Sequence, residues 1–173
     1  MTECTPIVTK NLDSYGHAPL PWSRPQELLQ AATFFGRPAF LGTVGSDGRP
    51  HAAGVGALWL DGVVYFTSGP GTRKSRNLST NPACTLSASL ANLDLVLEGE
   101  AIRVTDAPTL EQLAARCRAD GWPVTVEGDA FTGPFSAPSA GPPPWHLYRF
   151  AFHTAIANAT AEPHGATLWR FAP

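Results

Sequence analysis

Charge is scarce in this chain. Its 173 residues hold 12 Lys and Arg against 14 Asp and Glu, a formal net charge of -2, and Lys10 and Lys74 are the only lysines. A balance this close to neutral argues against a general nucleic-acid binder or a polybasic membrane binder. Cysteine is scarce too. Cys4, Cys84 and Cys117 are far apart, with no Cys-x-x-Cys pair, which gives neither a disulfide framework nor a zinc site. Cys84 and Cys117 read as small buried apolar residues. No apolar run approaches the ~20 residues needed to span a bilayer. The N-terminus lacks a basic region followed by an apolar stretch, so it does not read as a secretory signal. These absences point to a soluble, cytoplasmic protein with no membrane and no nucleic-acid partner.

Glycine and proline, by contrast, are abundant, at 16 and 17 residues. They favour many short elements over long helices. Residues 1–22 show no periodicity and read as an irregular arm, followed by one domain over residues 23–173. Ser23 as a cap, Pro25 near the first turn and Leu28, Leu29, Ala32 and Phe35 at helical spacing predict a helix that Gly36 ends. Three strands follow, "PAFLGTV", "RPHAAGVGALWL" and "VVYFTS", joined at Ser46-Asp47-Gly48 and Asp61-Gly62 as an antiparallel meander.

"GPGTRKSRNLSTNP" then breaks the strand rhythm, glycine-rich at first and helix-compatible through Leu78. "ACTLSASL" and "LDLVLEGEAIRVT" read as a hairpin turning near Ala91-Asn92, with Glu98 and Glu100 on a solvated face. Asp106 caps a helix whose stripe is Leu110, Leu113, Ala114 and Cys117, ended by Gly121. Residues 122–144 read as a long proline-rich loop. Two strands, "WHLYRFAFHTAIANAT" and "ATLWRF", close the chain. The whole predicts a mainly β fold with short helices, an antiparallel barrel of at least six strands.

The cations are unevenly placed. Arg73, Lys74 and Arg76 fall within four positions, just after Gly69 and Gly71, where a strand gives way to a helix. A helix N-terminus offers unpaired N–H groups and a partial positive charge, and glycines let backbone approach an anion closely. Cations there oppose the helix dipole, so an anion should compensate them. The stretch is a candidate phosphate cradle; a solvated basic turn is the alternative. It is not the P-loop of nucleotide triphosphatases, since Arg73 stands where that motif needs Gly before Lys.

Elsewhere the candidates are thin. His51, His146, His153 and His164 show no metal-ligand spacing, and no metal is expected. His51 lies nearest the proposed site. Trp59, Trp122 and Trp145 read as core or interface residues. No Gly-x-Ser-x-Gly elbow is present, which disfavours a serine hydrolase.

Three segments, "FLGTVGSDGRPHAAGV", "VYFTSGPGTRKSRNLSTNPACTLS" and the tail "PPPW…YRF…GATLWRF", carry a family resemblance from about Pro25 to Phe171. On them the chain resembles the pyridoxamine 5'-phosphate oxidase-like FMN-binding split-barrel superfamily, in particular its actinobacterial flavin/deazaflavin oxidoreductases. The resemblance implies a six-stranded split barrel that forms a homodimer, with FMN or the deazaflavin coenzyme F-420 in a groove between subunits and a small-molecule substrate beside it. It implies that Arg73, Lys74 and Arg76 grip the cofactor phosphate and that Asn77 supports their loop. Thr67 and Ser68 would contact the ring or ribityl chain, and Gly54, Val55 and Gly56 would lie against the flat ring. Leu168 departs from the pattern, since many relatives have a second Arg there. Arg49 or Arg37 would meet the acidic tail of a deazaflavin. The activity so implied is hydride transfer by an oxidoreductase. A non-catalytic flavin, haem or tetrapyrrole carrier of the same fold and a pyridoxamine-phosphate oxidase are the alternatives.

Overall fold

A computed structural model describes residues 5–31, 39–138 and 140–172. Along the chain, β1 (Val8–Asn11) precedes α1 (Ser23–Ala31), β2 (Ala39–Val44), β3 (Pro50–Val55), β4 (Ala57–Leu60) and β5 (Val63–Ser68). Next come α2 (Arg73–Thr80), the hairpin β6 (Ala83–Leu90) and β7 (Leu93–Val104), and α3 (Ala107–Ala119). The chain ends with β8 (Thr125–Glu127), β9 (Ala130–Thr132), β10 (His146–Ala159) and β11 (Ala166–Arg170). The fold is mainly antiparallel β with three short helices among the described residues, as the sequence predicts.

Nine strands share one sheet, ordered β1-β11-β10-β7-β6-β2-β3, with β5 joined to β10 and β4 to β5. β10 organises it. One edge of β10 pairs with β7 along its length; the other pairs with β5 through residues 146–150 and with β11 through residues 154–158. The sheet curls until β3 approaches β5, and α2 packs on β2 and β3.

Three sequence expectations are corrected. The arm over residues 1–22 is not wholly irregular, because β1 pairs with β11 at the sheet edge. All four of its residues are exposed, so there is no apolar alternation to read, and its order comes from the partner's backbone. The middle strand of the meander breaks at Gly56, and its halves pair separately with β2 and β5. The 122–144 loop contains the β8–β9 hairpin, and Phe131 exchanges two backbone hydrogen bonds with Trp145, both 2.8 Å. Its apolar residues are ordered by burial against α3, which a search for periodicity does not detect.

Local chemistry explains the elements that the sequence does mark. Asp61 and Gly62 both have positive φ, 51° and 83°, the twist a two-residue hairpin turn requires. Asp106 accepts a hydrogen bond from the Thr109 amide at 3.0 Å and caps α3. Ser23 falls within the first turn of α1 rather than ahead of it. Phe35, Gly36, Arg37 and Cys4 lie outside the described residues.

Two hydrophobic clusters hold the domain. The larger fills the sheet interior around Leu41, Phe66, Phe150 and Trp169, with Phe66 stacked on Tyr148 at 5.2 Å. The smaller joins the α3 stripe of Leu110, Leu113, Ala114 and Cys117 to Trp122, Phe131 and Trp145. Each large side chain buried this way contributes about 1.5–3 kcal/mol. Trp59, Trp122 and Trp145 are all core residues, as read from the sequence. The thiols of Cys84 and Cys117 are pushed up to about 12 by burial, so both are inert.

Candidate functional site

Strand β5 delivers the chain into a turn at Gly69-Pro70-Gly71, and α2 starts immediately after it. Thr72 is the N-cap of α2, a signal that a threonine ahead of Arg73-Lys74-Ser75 offered and that sequence reading missed. Its Oγ1 accepts from the Ser75 amide at 3.3 Å and donates to the Gly69 carbonyl at 2.9 Å. Ser75 Oγ donates to Ser68 Oγ at 2.7 Å, and Ser68 Oγ lies 2.9 Å from Thr72 Oγ1. Three hydroxyls in series thus fix the turn. Gly69 is required there by close approach, because a Cβ on it would lie 2.3 Å from the Ala140 carbonyl oxygen.

The opposite end of α2 is anchored to the sheet. Asn77 Nδ2 donates to Thr43 Oγ1 at 2.9 Å, and Thr43 lies 3.4 Å from the His51 carbonyl oxygen, so β3, β2 and α2 are tied through one amide and one hydroxyl. Asn77 and Thr43 are both buried.

The cations stand in three different settings. Arg73 is exposed, and among the described residues no ion pair involves it. Lys74 is only 3% exposed, and desolvation holds its ammonium below the usual lysine range. Arg76 is exposed and donates from Nη1 to the Gly71 carbonyl at 2.5 Å, bracing the glycine turn. The first turn of α2 holds no acidic residue, so the helix itself sets no carboxylate beside its dipole and these cations. That donor set suits a phosphate.

The residues singled out from the sequence fall on adjacent elements. Thr67 and Ser68 end β5 and are buried, with the Ser68 hydroxyl committed to the turn. Gly54 and Val55 end β3, and Gly56 separates β3 from β4. Val55 points into the core, while a Cβ on Gly54 would meet open space. A planar ring laid on this strand end therefore meets little side-chain bulk at Gly54. His51 is half-buried, on a shallow outer groove of about 650 Å³ that also holds Glu98 and His153. Glu100 is solvated as expected, but Glu98 is half-buried. Trp169 packs with Trp22 at 5.4 Å as a core residue, and Arg170 is exposed. Arg49 pairs with Asp47 at 3.7 Å on the surface.

A feature that the sequence did not single out lies on the other flank of α2. Ser75 and Arg76 line an open groove of about 470 Å³ whose far wall is Arg103, His146 and Tyr148. Burial first, and the Arg103 charge second, push the His146 imidazole below the usual histidine range. Among the described residues, no group of three His, Cys, Asp or Glu is placed to hold a metal ion. No helix among them is long and apolar enough to cross a membrane.

Comparison with known proteins bears on the family and the fold. The family model described as pyridoxamine 5'-phosphate oxidase matches residues 27–157. No curated protein sequence matches the chain. Among solved structures, an F420 reductase is similar at 20% identity and a TM-score of 0.51, over 75% of this chain and 94% of that one. A NimC/NimA family protein from Clostridium acetobutylicum is 14% identical with a TM-score of 0.59, over 84% of this chain and 91% of that one. A putative pyridoxamine 5'-phosphate oxidase from Listeria innocua is 17% identical with a TM-score of 0.54, over 77% and 94%. At these identities the likeness is one of fold.

Proposed function

The chain belongs to the pyridoxamine 5'-phosphate oxidase family, and from that premise we propose that it is an oxidoreductase holding a phosphate-bearing flavin, either FMN or the deazaflavin coenzyme F-420. Such a cofactor supplies hydride transfer to or from a small organic substrate, while the protein supplies binding, orientation and electrostatics. The observation that carries this reading is the cationic start of α2, where Arg73 and Lys74 directly follow the Gly69–Gly71 turn and the first turn of the helix holds no acidic residue. Arg73 would hold the phosphate from the solvent side and Lys74 from within. A phosphate there stabilises the charged form of Lys74, which burial alone disfavours. Arg76 braces the turn through Gly71, and Asn77 fixes the helix to β2. Thr67 at the end of β5 and the small residues Gly54 and Gly56 beside β3 leave the backbone approachable for a flat ring. The working unit is a cytoplasmic homodimer whose second copy provides the other wall of this open site.

The deazaflavin is the favoured cofactor, since an F420 reductase is among the proteins of similar fold. The test is an absorbance titration of the purified protein with FMN and with coenzyme F-420. Saturable binding of one of them at the Arg73–Lys74 turn is expected. Failure to bind either overturns the reading. Single-turnover reoxidation of the bound reduced cofactor then separates an enzyme from a carrier, because a carrier passes hydride to no organic acceptor.

A further inference from the structure

The groove on the far flank of α2 has its own chemistry. It measures about 470 Å³, within the range of small-molecule sites, and no carboxylate lines it. Arg76 enters from α2 and Arg103 from β7, with His146 and Tyr148 rising from β10. Asp129, at the turn of the β8–β9 hairpin, pairs with Arg103 Nη2 at 2.6 Å. The groove thus has two guanidinium groups on its lining, with Arg103 paired to Asp129 and Arg76 matched by no carboxylate among the ion pairs of the described residues. Arg103 Nε is buried and has no hydrogen-bond partner, so the guanidinium meets a ligand in the groove through its outer nitrogens. The rest of the wall is apolar, including Leu78, Pro82 and Ile102, and Ile102 is left 59% exposed.

We infer that this groove binds a small carboxylic acid with a flat apolar body: the carboxylate between Arg76 and Arg103, the body against Tyr148 and Ile102. A guanidinium fork matches a carboxylate edge to edge, and an uncharged imidazole at His146 adds a hydrogen bond without adding charge. The apolar wall distinguishes the preferred ligand from a bare anion. The groove borders the glycine turn through Pro70, Ser75 and Arg76, and its other wall, Arg103, His146 and Tyr148, belongs to β7 and β10. Ligand binding here does not require the cofactor reading to be right.

The probe is benzoate, added to the full chain while the His146 imidazole is followed by NMR, assigned with His146→Gln. Saturable, millimolar-range movement of that resonance is expected, weakened about fivefold or more in both Arg103→Gln and Arg76→Gln. Benzyl alcohol should leave it in place, and inorganic phosphate should bind at least about fivefold more weakly than benzoate. No movement with benzoate overturns the site. So does benzoate binding that neither variant weakens, or phosphate binding as tight as benzoate, which would mark an unselective anion patch. Arg76 is exposed, so Arg76→Gln keeps the test available if Arg103→Gln disturbs the hairpin. Titration of Arg103→Gln with FMN and coenzyme F-420 reads the cofactor turn separately, and unchanged affinity there is expected.

Discussion

The two flanks of helix α2 are built on opposite principles. At the glycine turn, where the cofactor is proposed to sit, the polar groups are engaged with one another: Ser75, Ser68 and Thr72 bond in series, and Asn77 is fixed to Thr43. Toward the groove, Arg76 is exposed, its Nη1 alone engaged with the Gly71 carbonyl, and Arg103 retains a buried, partnerless Nε. A rigid hydroxyl network presents charge to a ligand with little reorganisation, the arrangement suited to a tightly held cofactor. An open groove with arginine forks and an apolar wall suits a smaller molecule that comes and goes. One short helix thus separates a preorganised surface from an adaptable one.

Substitutions can break this contrast, beginning with the strongest. Arg73→Ala with Lys74→Ala should weaken the preferred flavin by about 2–4 kcal/mol, roughly 30- to 700-fold, in an absorbance titration. Unchanged affinity would remove the phosphate from this turn. Gly69→Ala drives a methyl group against the Ala140 carbonyl. It should cost about 1–3 kcal/mol in denaturant unfolding and weaken the cofactor as the turn shifts. If only stability falls, the turn geometry is irrelevant to binding. Asn77→Ala strips a buried donor from Thr43 and should cost about 1–2 kcal/mol of stability. Arg76→Ala, which removes only an exposed hydrogen bond to the Gly71 carbonyl, should cost less, about 0.5–1 kcal/mol.

The smallest expected effect is a pH dependence. His146 in the folded protein titrates below its ordinary value of 6.5, so the unfolded chain binds more protons just below that pH. Its contribution to stability is therefore complete above about pH 6.5 and declines as the pH falls from there toward the folded-state value. Melting temperatures across that interval should decline less steeply in His146→Gln than in the parent protein. Equal slopes would mean that the imidazole is not desolvated in the groove.

The cationic turn was legible in the sequence as a motif, and the groove was not. Glycines next to clustered cations at a strand-to-helix junction are contiguous in the chain, so Arg73, Lys74 and Arg76 could be picked out together. The groove takes Arg76 from α2, Arg103 from β7, His146 from β10 and Asp129 from a small hairpin. These residues are far apart in sequence, and apart from Arg76 each reads alone as an ordinary residue of its element. Likewise the α3 stripe announced a helix, but not that Trp122, Phe131 and Trp145 would fold back onto it. Arg76 shows the limit most clearly: its neighbours suggested a phosphate ligand, while the fold sets it both against the Gly71 carbonyl and at the border of the groove.

What the sequence alone determined was the mainly β class, the hairpins, the capped α3 and the cationic turn. All of these depend on interactions between residues a few positions apart. Tertiary structure alone decided the pairing of β1 with β11, the break at Gly56, the second aromatic cluster and the groove. Each of these needs surfaces that the chain brings together only when distant strands exclude water from between them, and no local pattern encodes which surfaces those will be.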